Sequence, residues 1–111
     1  MDVTVSYEKN TMIVTVVGRI DSTTSSELEA WAREALNPPE YDVVMDFSRL
    51  DYISSAGLRT MLNISKSINK YSHTFALCRV QDHIREVFEI SGFDSFIPIY
   101  RSREESLASL P

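Results

Sequence analysis

The sequence predicts an α/β fold, in which β-strands alternate with amphipathic helices around a largely parallel sheet. Apolar, β-branched runs of strand length recur along the chain, and segments with apolar residues at helical spacing separate most of them. The 111 residues, 43% of them hydrophobic, suffice to bury a single core. We therefore expect residues 1–111 to form one domain of order β-β-α-β-α-β-α-β-α, with right-handed crossovers and an antiparallel hairpin at the edge of a mixed sheet.

The chain opens with a predicted β-hairpin. Residues 3–7 alternate between apolar and polar side chains, as a half-buried strand does. A polar turn separates them from a β-branched run over residues 12–17, which ends at Gly18. The short connection makes the two strands antiparallel neighbours.

A helix is predicted after the hairpin. Residues 21–26 are all competent N-caps, and both Thr24 with Glu27 and Ser26 with Glu29 have the spacing of a capping box. The helix start is therefore predicted, but its register stays open. A Pro-Pro pair ends the helix because proline cannot continue it. The predicted apolar face consists of Leu28, Trp31, Ala32, Ala35 and Leu36.

The rest of the chain repeats the alternation of strand and helix. Residues 41–47 form a nearly continuous apolar run, which is typical of a strand buried on both faces of a parallel sheet. A helix is predicted over residues 56–69, with an inward face of Leu58, Met61, Leu62, Ser65 and Ile68. The later elements are a strand over 74–80, a helix with Ile84, Val87 and Phe88 that ends at Gly92, a strand over 96–100 and a short helix that begins with the capping box of Ser102 and Glu105.

Composition and charge exclude several classes of function. The net charge of −5 and the lack of a basic stripe argue against nucleic acid as a partner. The apolar runs fall well short of the roughly 20 residues that cross a bilayer, and the first residues lack the basic and apolar regions of a signal peptide. Cys78 is the only cysteine, so no internal disulfide is expected. We expect a reduced, cytoplasmic protein with no membrane insertion.

The sequence offers little support for enzyme chemistry. His73 and His83 are the only histidines, and neither has a carboxylate or a cysteine at a metal-ligand spacing. The sequence contains no glycine-rich phosphate loop and no nucleophile elbow, and no general base is visible that would activate a serine. We therefore expect a protein that is not an enzyme and has no metal and no cofactor.

The most informative segment covers residues 43–62. It begins as a buried strand, turns at residues 51–52, and reaches Ser54 and Ser55 just before a predicted helix. Unpaired N–H groups and the helix dipole favour negative charge at this place, so a serine here is either an N-cap or a phosphate acceptor. The capping box fails for both serines, because glycine and leucine stand three residues later. Chemistry alone favours a cap, and both interpretations remain open at this point.

Four short stretches of the chain match a known pattern. Residues 46–48 (DFS) and 54–58 (SSAGL) together match one signature, and residues 18–21 (GRID) match a glycine–x–hydrophobic–aspartate turn. Residues 84–94 (IREVFEISGFD) match a third helix with a glycine-bearing exit loop. Together, and in this order, they resemble the STAS domain, the fold of bacterial anti-sigma factor antagonists. The resemblance covers nearly the whole chain.

The resemblance implies a partner-switching function in the regulation of transcription. In that family, the serine that opens the second helix is phosphorylated by a partner that is both an anti-sigma factor and a serine kinase of the GHKL type. The small–Gly–Leu triplet places that serine at Ser55, with Ser54 as the second choice. The unmodified antagonist binds the anti-sigma factor and frees the sigma factor, and the phosphorylated one releases it until a PP2C-type phosphatase acts. Family members often carry aspartate where this chain has Ser54.

The resemblance also implies a partner-binding surface around the serines. Asp21 matches the family's aspartate beside the switch serine, and it would equally cap the first helix. Gly57 would let a partner's backbone come close, or would serve tight packing of helix on strand. Met61 lies near the docking face unless its side chain turns into the core. The full candidate surface is Asp21, Ser22, Thr23, Ser54, Ala56, Gly57, Leu58 and Arg59.

A second function within the same family is a scaffold without phosphorylation. Stand-alone STAS proteins also serve as accessory subunits of ABC-type lipid transporters and dock on the transporter ATPase through the same region. The sequence barely separates the two functions, because both use the surface of the second helix. Phosphorylated Ser55 in native cells would favour the switch, and co-purification with a transporter ATPase would favour the scaffold.

Overall fold

The structure is a computed structural model that describes residues 1–110, and this part of the chain contains six strands and four α-helices. Their order agrees with the predicted one except for one additional short strand. The elements are β1 (Asp2–Glu8), β2 (Thr11–Ile20), α1 (Ser22–Ala35), β3 (Asp42–Asp46), β4 (Leu50–Ile53), α2 (Ser55–Lys70), β5 (Phe75–Cys78), α3 (Asp82–Ser91), β6 (Ile99–Tyr100) and α4 (Arg103–Ala108).

The sheet is mixed, as predicted. Its strands follow the order β1-β2-β3-β5-β6, and β4 pairs with β2 beside this path. The hairpin of β1 and β2 is the antiparallel edge, while β2, β3, β5 and β6 pair in parallel. Parallel strands need crossover connections, and α1, α2 and α3 supply them.

Three helices cover one face of the sheet and a single helix lies on the other. Apolar residues of α1, α2 and α3 share one core with alternate residues of the strands, such as Val43 and Met45 in β3. The intervening Val44 points to the opposite face, because successive side chains of a strand alternate. There it meets Cys78, while Leu107 of α4 packs over both. The α4 face is thus the thinner side of the molecule.

The strand β4 was not predicted from the sequence, and the expected turn at residues 51–52 is wrong. Instead, the turn lies just before Leu50, whose N–H donates to the Phe47 carbonyl oxygen at 3.1 Å. The physical reason is the length of β2, which has ten residues while β3 has five. Beyond Thr15, β2 has no further partner in β3, and β4 pairs in parallel with the stretch from Gly18 to Ile20.

The helix faces agree with the predicted periodicity in most positions. In α1, Leu28 and Ala32 are buried, Trp31 is half-buried and Ala35 is exposed, and Leu36, the C-cap after the helix, is buried. In α2, the predicted Leu58, Met61, Ser65 and Ile68 are buried and Leu62 is half-buried, while Thr60 and Ile64 are buried without having been predicted. In α3, Ile84 and Phe88 are buried and Val87 is partly exposed. Gly92 ends this helix in the left-handed conformation, with φ of 80°, as predicted.

The last helix begins as predicted at Ser102, whose side chain accepts a hydrogen bond from the Glu105 N–H at 3.0 Å. The Glu105 carboxylate reaches back to the N–H of Arg101 rather than to that of Ser102. Within residues 1–110, no helix combines the length and the hydropathy that crossing a bilayer requires.

Candidate functional site

The two adjacent serines at the start of α2 have different roles. Ser54 is the N-cap, with an extended backbone at φ −91° and ψ 173°. Its side-chain oxygen accepts a hydrogen bond from the Gly57 N–H at 3.1 Å, and its own N–H donates to the Ile20 carbonyl oxygen at 2.8 Å. Ser54 therefore satisfies one of the free N–H groups of the helix and ties α2 to the end of β2.

Ser55 is the first residue of α2, and its side chain is exposed. The Ser54 hydroxyl caps α2, whereas the Ser55 hydroxyl takes part in none of the hydrogen bonds within residues 1–110. The cap interpretation is therefore confirmed for Ser54 and wrong for Ser55. Ser55 is therefore exposed at the start of the helix, with a hydroxyl that the hydrogen bonds of the described residues do not use.

Asp21 caps α1, as one of its two interpretations predicted. Its carboxylate accepts hydrogen bonds from the N–H groups of Thr23 at 3.0 Å and of Thr24 at 2.9 Å. In return, the Thr24 hydroxyl accepts the Asp21 N–H at 2.8 Å, which completes a capping box. The hydrogen bond from the Thr24 N–H is the main cause that lowers the pKa of Asp21, so this carboxylate is charged at neutral pH.

Both capping boxes predicted for α1 are wrong. The helix begins at Ser22, earlier than Thr24–Glu27 or Ser26–Glu29 would require, and Thr24 occupies the third helical position instead of the cap. The sequence could not decide this register, because every residue from 21 to 26 is a competent cap.

The starts of α1 and α2 lie side by side. The hydrogen bond from Ser54 to Ile20 joins the residue before α2 to the residue before the Asp21 cap. Further along, the Asn63 side chain of α2 donates to Glu29 of α1 at 3.2 Å, so the two helices run in parallel. At this end, the capping Ser54 of the predicted partner-binding surface is half-exposed. We call the exposed and half-exposed residues around it the helix-start surface, which comprises Asp21, Ser22, Thr23, Ser55, Ala56 and Arg59.

Two residues of the predicted partner-binding surface face the core instead. Gly57 is buried, and a Cβ atom there would lie 2.7 Å from the side chains of both Ile20 and Ile53. Glycine is needed at this position because α2 packs closely on β2 and β4, which confirms the packing interpretation. The Leu58 side chain is 6% exposed and belongs to the core. Met61, for which both interpretations were open, is fully buried.

The sequence analysis missed one feature beside the helix-start surface. The Arg19 guanidinium lies over the Tyr52 ring, 4.3 Å from the ring centroid, in a cation–π contact. The two residues are paired across β2 and β4, and both are exposed. Their contact could have been predicted only by recognising β4 as a strand paired with β2, because the sequence contains no other signal that joins Arg19 to Tyr52.

A second polar cluster lies at the end of β3, under α4. Asp46 is 1% exposed, and its carboxylate contacts Arg79 at 3.3 Å, Arg103 at 3.0 Å and the Ser48 N–H at 2.9 Å. Burial alone would raise the pKa of Asp46, but the hydrogen bonds from Ser48 and Arg103 and the charge of Arg79 lower it below its usual value. The burial of Cys78 itself and the nearby Asp46 charge raise the pKa of the Cys78 thiol to about 11, which keeps this thiol protonated.

The architecture defines a small α/β domain in which one serine caps the second helix and the next serine is exposed at its start. The STAS domain model matches residues 2–106. The chain belongs to the STAS domain family, as its motifs predicted.

Relatives cover the chain almost completely. BtrV of Bordetella bronchiseptica, a protein with an inferred role as an anti-sigma factor antagonist, is 39% identical over 109 residues, which are 98% of this chain and 94% of that protein. A Thermotoga maritima protein with the same inferred role superposes with a TM-score of 0.91 at 19% identity, covering 97% of this chain and 93% of its own. At this identity the superposition shows the shared fold.

The anti-sigma factor antagonist SpoIIAA has been solved in two chemical states. Its unphosphorylated form matches with a TM-score of 0.79 at 18% identity, over 96% of this chain and 93% of that chain. The phosphorylated form of the Bacillus protein matches with a TM-score of 0.72 at 17% identity, over 96% of this chain and 97% of that chain. Both matches again show the fold.

Proposed function

We propose that this protein is an anti-sigma factor antagonist that works as a phosphorylation switch. In the unmodified state it binds an anti-sigma factor with serine kinase activity of the GHKL type, and phosphorylation of Ser55 releases that partner. A PP2C-type phosphatase restores the binding state in the bacterial cytoplasm. The observation that carries the proposal is the free, exposed hydroxyl of Ser55 beside the capping Ser54.

The division of roles between the serines suits such a switch. Ser54 holds the start of α2 whether or not Ser55 carries a phosphate, because its hydrogen bond to Gly57 does not involve Ser55. A phosphate adds about 1.5 to 2 negative charges at neutral pH. On the helix-start surface these charges would stand beside the ionised Asp21 cap and would have to be desolvated against a partner. Binding therefore changes while the fold stays the same.

Two relatives support the proposal from outside the chain. BtrV, whose name gives the same role, is similar over nearly its whole length. SpoIIAA, which shares the fold, exists in an unphosphorylated and a phosphorylated form.

The proposal is tested by capturing partners from native lysate with three baits: the wild type, Ser55→Ala and Ser55→Asp. We expect the wild type and Ser55→Ala to capture a GHKL-type protein, and Ser55→Asp to capture about tenfold less or none, since a tenfold loss corresponds to about 1.4 kcal/mol of repulsion. Quantitative mass spectrometry of the captured proteins provides the measurement.

Ser54→Asp is the matched control, because it adds the same charge one residue earlier while keeping a good N-cap. We expect this variant to bind like the wild type. Equal capture of the same partners by Ser55→Ala and Ser55→Asp would contradict the switch. If a transporter ATPase were among the partners captured equally by both variants, the protein would instead be a scaffold.

A further inference from the structure

Arg59 lies one helical turn after Ser55 on the same face of α2. Residues four apart on a helix are neighbours, and an anion that precedes a cation by four residues is the favourable orientation. Helical side chains also lean toward the N-terminus, so a long side chain at position 59 covers the surface above position 55. Both residues are exposed and belong to one uninterrupted helix of 16 residues.

Arg59 has no ion-pair partner in residues 1–110. The ion pairs of this part of the chain use His73, Arg79 and Arg103 instead, and no carboxylate oxygen lies within 4.0 Å of the Arg59 nitrogens. One turn further along α2, the Asn63 amide donates a hydrogen bond to Glu29 of α1.

The starts of α1 and α2 also provide Arg59 with no acidic side chain from their first turns. The Asp21 carboxylate, at the start of α1, is engaged by the N–H groups of Thr23 and Thr24. The guanidinium is therefore unpaired at the place where the switch would introduce a doubly charged anion.

We propose that Arg59 binds the phosphate of phosphorylated Ser55 within the same chain. A guanidinium binds a phosphate through two parallel N–H···O bonds, which a lysine at residue 59 does not reproduce. This inference rests on the proposed function only for the existence of the modified serine. Phosphorylation then acts twice: it adds negative charge to the helix-start surface, and it removes Arg59 from contact with the partner.

The test needs neither kinase nor partner. Phosphoserine is placed at position 55 of the full chain by genetic code expansion, and phosphorus NMR follows its second ionisation, whose pKa is about 6 in the absence of interactions. We expect this pKa to be higher by about 0.4 in Arg59→Gln than with Arg59 present, as an ion pair between residues four apart on a helix implies. Arg59→Lys should retain part of the effect.

Arg33→Gln is the control, since Arg33 is exposed on α1 near its other end. It should titrate like the protein with all arginines present. An Arg59→Gln variant that also titrates in this way overturns the inference, whatever the lysate experiment shows. Conversely, loss of the switch in the lysate experiment together with a shifted titration would contradict the proposed function and leave the ion pair in place.

Discussion

The polar side chains under α4 and those on the helix-start surface differ in burial and in the partners they have. Asp46 is almost fully buried and contacts two arginines and a backbone N–H. Ser55 and Arg59 are exposed, and residues 1–110 provide neither with a charged partner. Asp46 and Ser55 both lie in stretches that match the family motifs, so the motif match alone does not separate them.

The difference shows which polar residues hold the fold and which remain available. A buried carboxylate is tolerated only when hydrogen bonds and opposite charges compensate its lost hydration, and such a residue is committed to the structure. An exposed hydroxyl beside an unpaired guanidinium costs the fold nothing and can be used by a kinase or a partner. The following variants test each side of this comparison, beginning with the largest expected effect.

Replacing Asp46 should destabilise the protein most. Asp46→Asn leaves Arg79 and Arg103 without their shared carboxylate, and breaking a buried pair costs about 3–5 kcal/mol. We expect about 3 kcal/mol, since the two arginine side chains are 50% and 33% exposed and recover some hydration. Urea denaturation measures the free energy of unfolding, with the exposed Asp51→Asn as a control that should change little. A loss no larger than that of the control would mean that the cluster does not stabilise the folded domain.

Gly57→Ala should also destabilise the protein, although alanine favours helices by about 1 kcal/mol over glycine. The new Cβ would lie 2.7 Å from two buried isoleucine side chains, and overpacking typically costs about 1–3 kcal/mol. We expect a net loss of about 1 kcal/mol in urea denaturation and no loss of partner capture at a temperature where the variant is folded. Increased stability would show that α2 can move away from the sheet.

The two serines should respond differently to the same change. Ser54→Ala removes the N-cap and should cost about 1 kcal/mol, while Ser55→Ala should stay within about 0.5 kcal/mol of the wild type. Thermal and urea unfolding of both variants provide the measurement. Equal losses would indicate that Ser55 shares the capping role, and the comparison between the serines would fail.

The acid side of the stability curve should depend on Asp46. Its pKa is lowered in the folded state, so its contribution is present above the usual value of 3.8 and is lost as the pH falls below it. The stability difference between the wild type and Asp46→Asn should therefore be constant near neutral pH and shrink under acid conditions. A difference that stays the same down to pH 3 would contradict the lowered pKa.

Much of the fold followed from local patterns, because hydrophobic periodicity and the proline and glycine signals act over a few residues. The strand β4 was missed since its four residues, LDYI, bury only the first and the last, which is neither a clean alternation nor an apolar run. The register of α1 was undecided because its start offers six competent caps. The Asp46 cluster joins residues 33 and 57 positions apart, so no local pattern announces it.

For the site, the sequence predicted the location of the serine pair but not which serine is the cap. Motifs located the serines, and the matched triplet placed the modified residue at Ser55, but which serine is the cap depends on the exact first residue of α2. Helix boundaries of this precision are set by tertiary contacts, here the hydrogen bond from Ser54 to Ile20. Close packing of α2 on β2 and β4 places Gly57 in the core, which its spacing did not predict. Leu58 is buried as the helical spacing predicted, although the motif match assigned it to the partner-binding surface.

The central claim is that Ser54 caps the helix and Ser55 is the residue that is modified. Trypsin releases both serines in one peptide, residues 50–59, bounded by Arg49 and Arg59. We would isolate the wild type, Ser54→Ala and Ser55→Ala from native cells and locate the phosphate in this peptide by tandem mass spectrometry. The account predicts phosphate on Ser55 in the first two proteins and none in the third. Phosphate on Ser54, or a peptide that remains unmodified while the GHKL-type partner is captured, would contradict it.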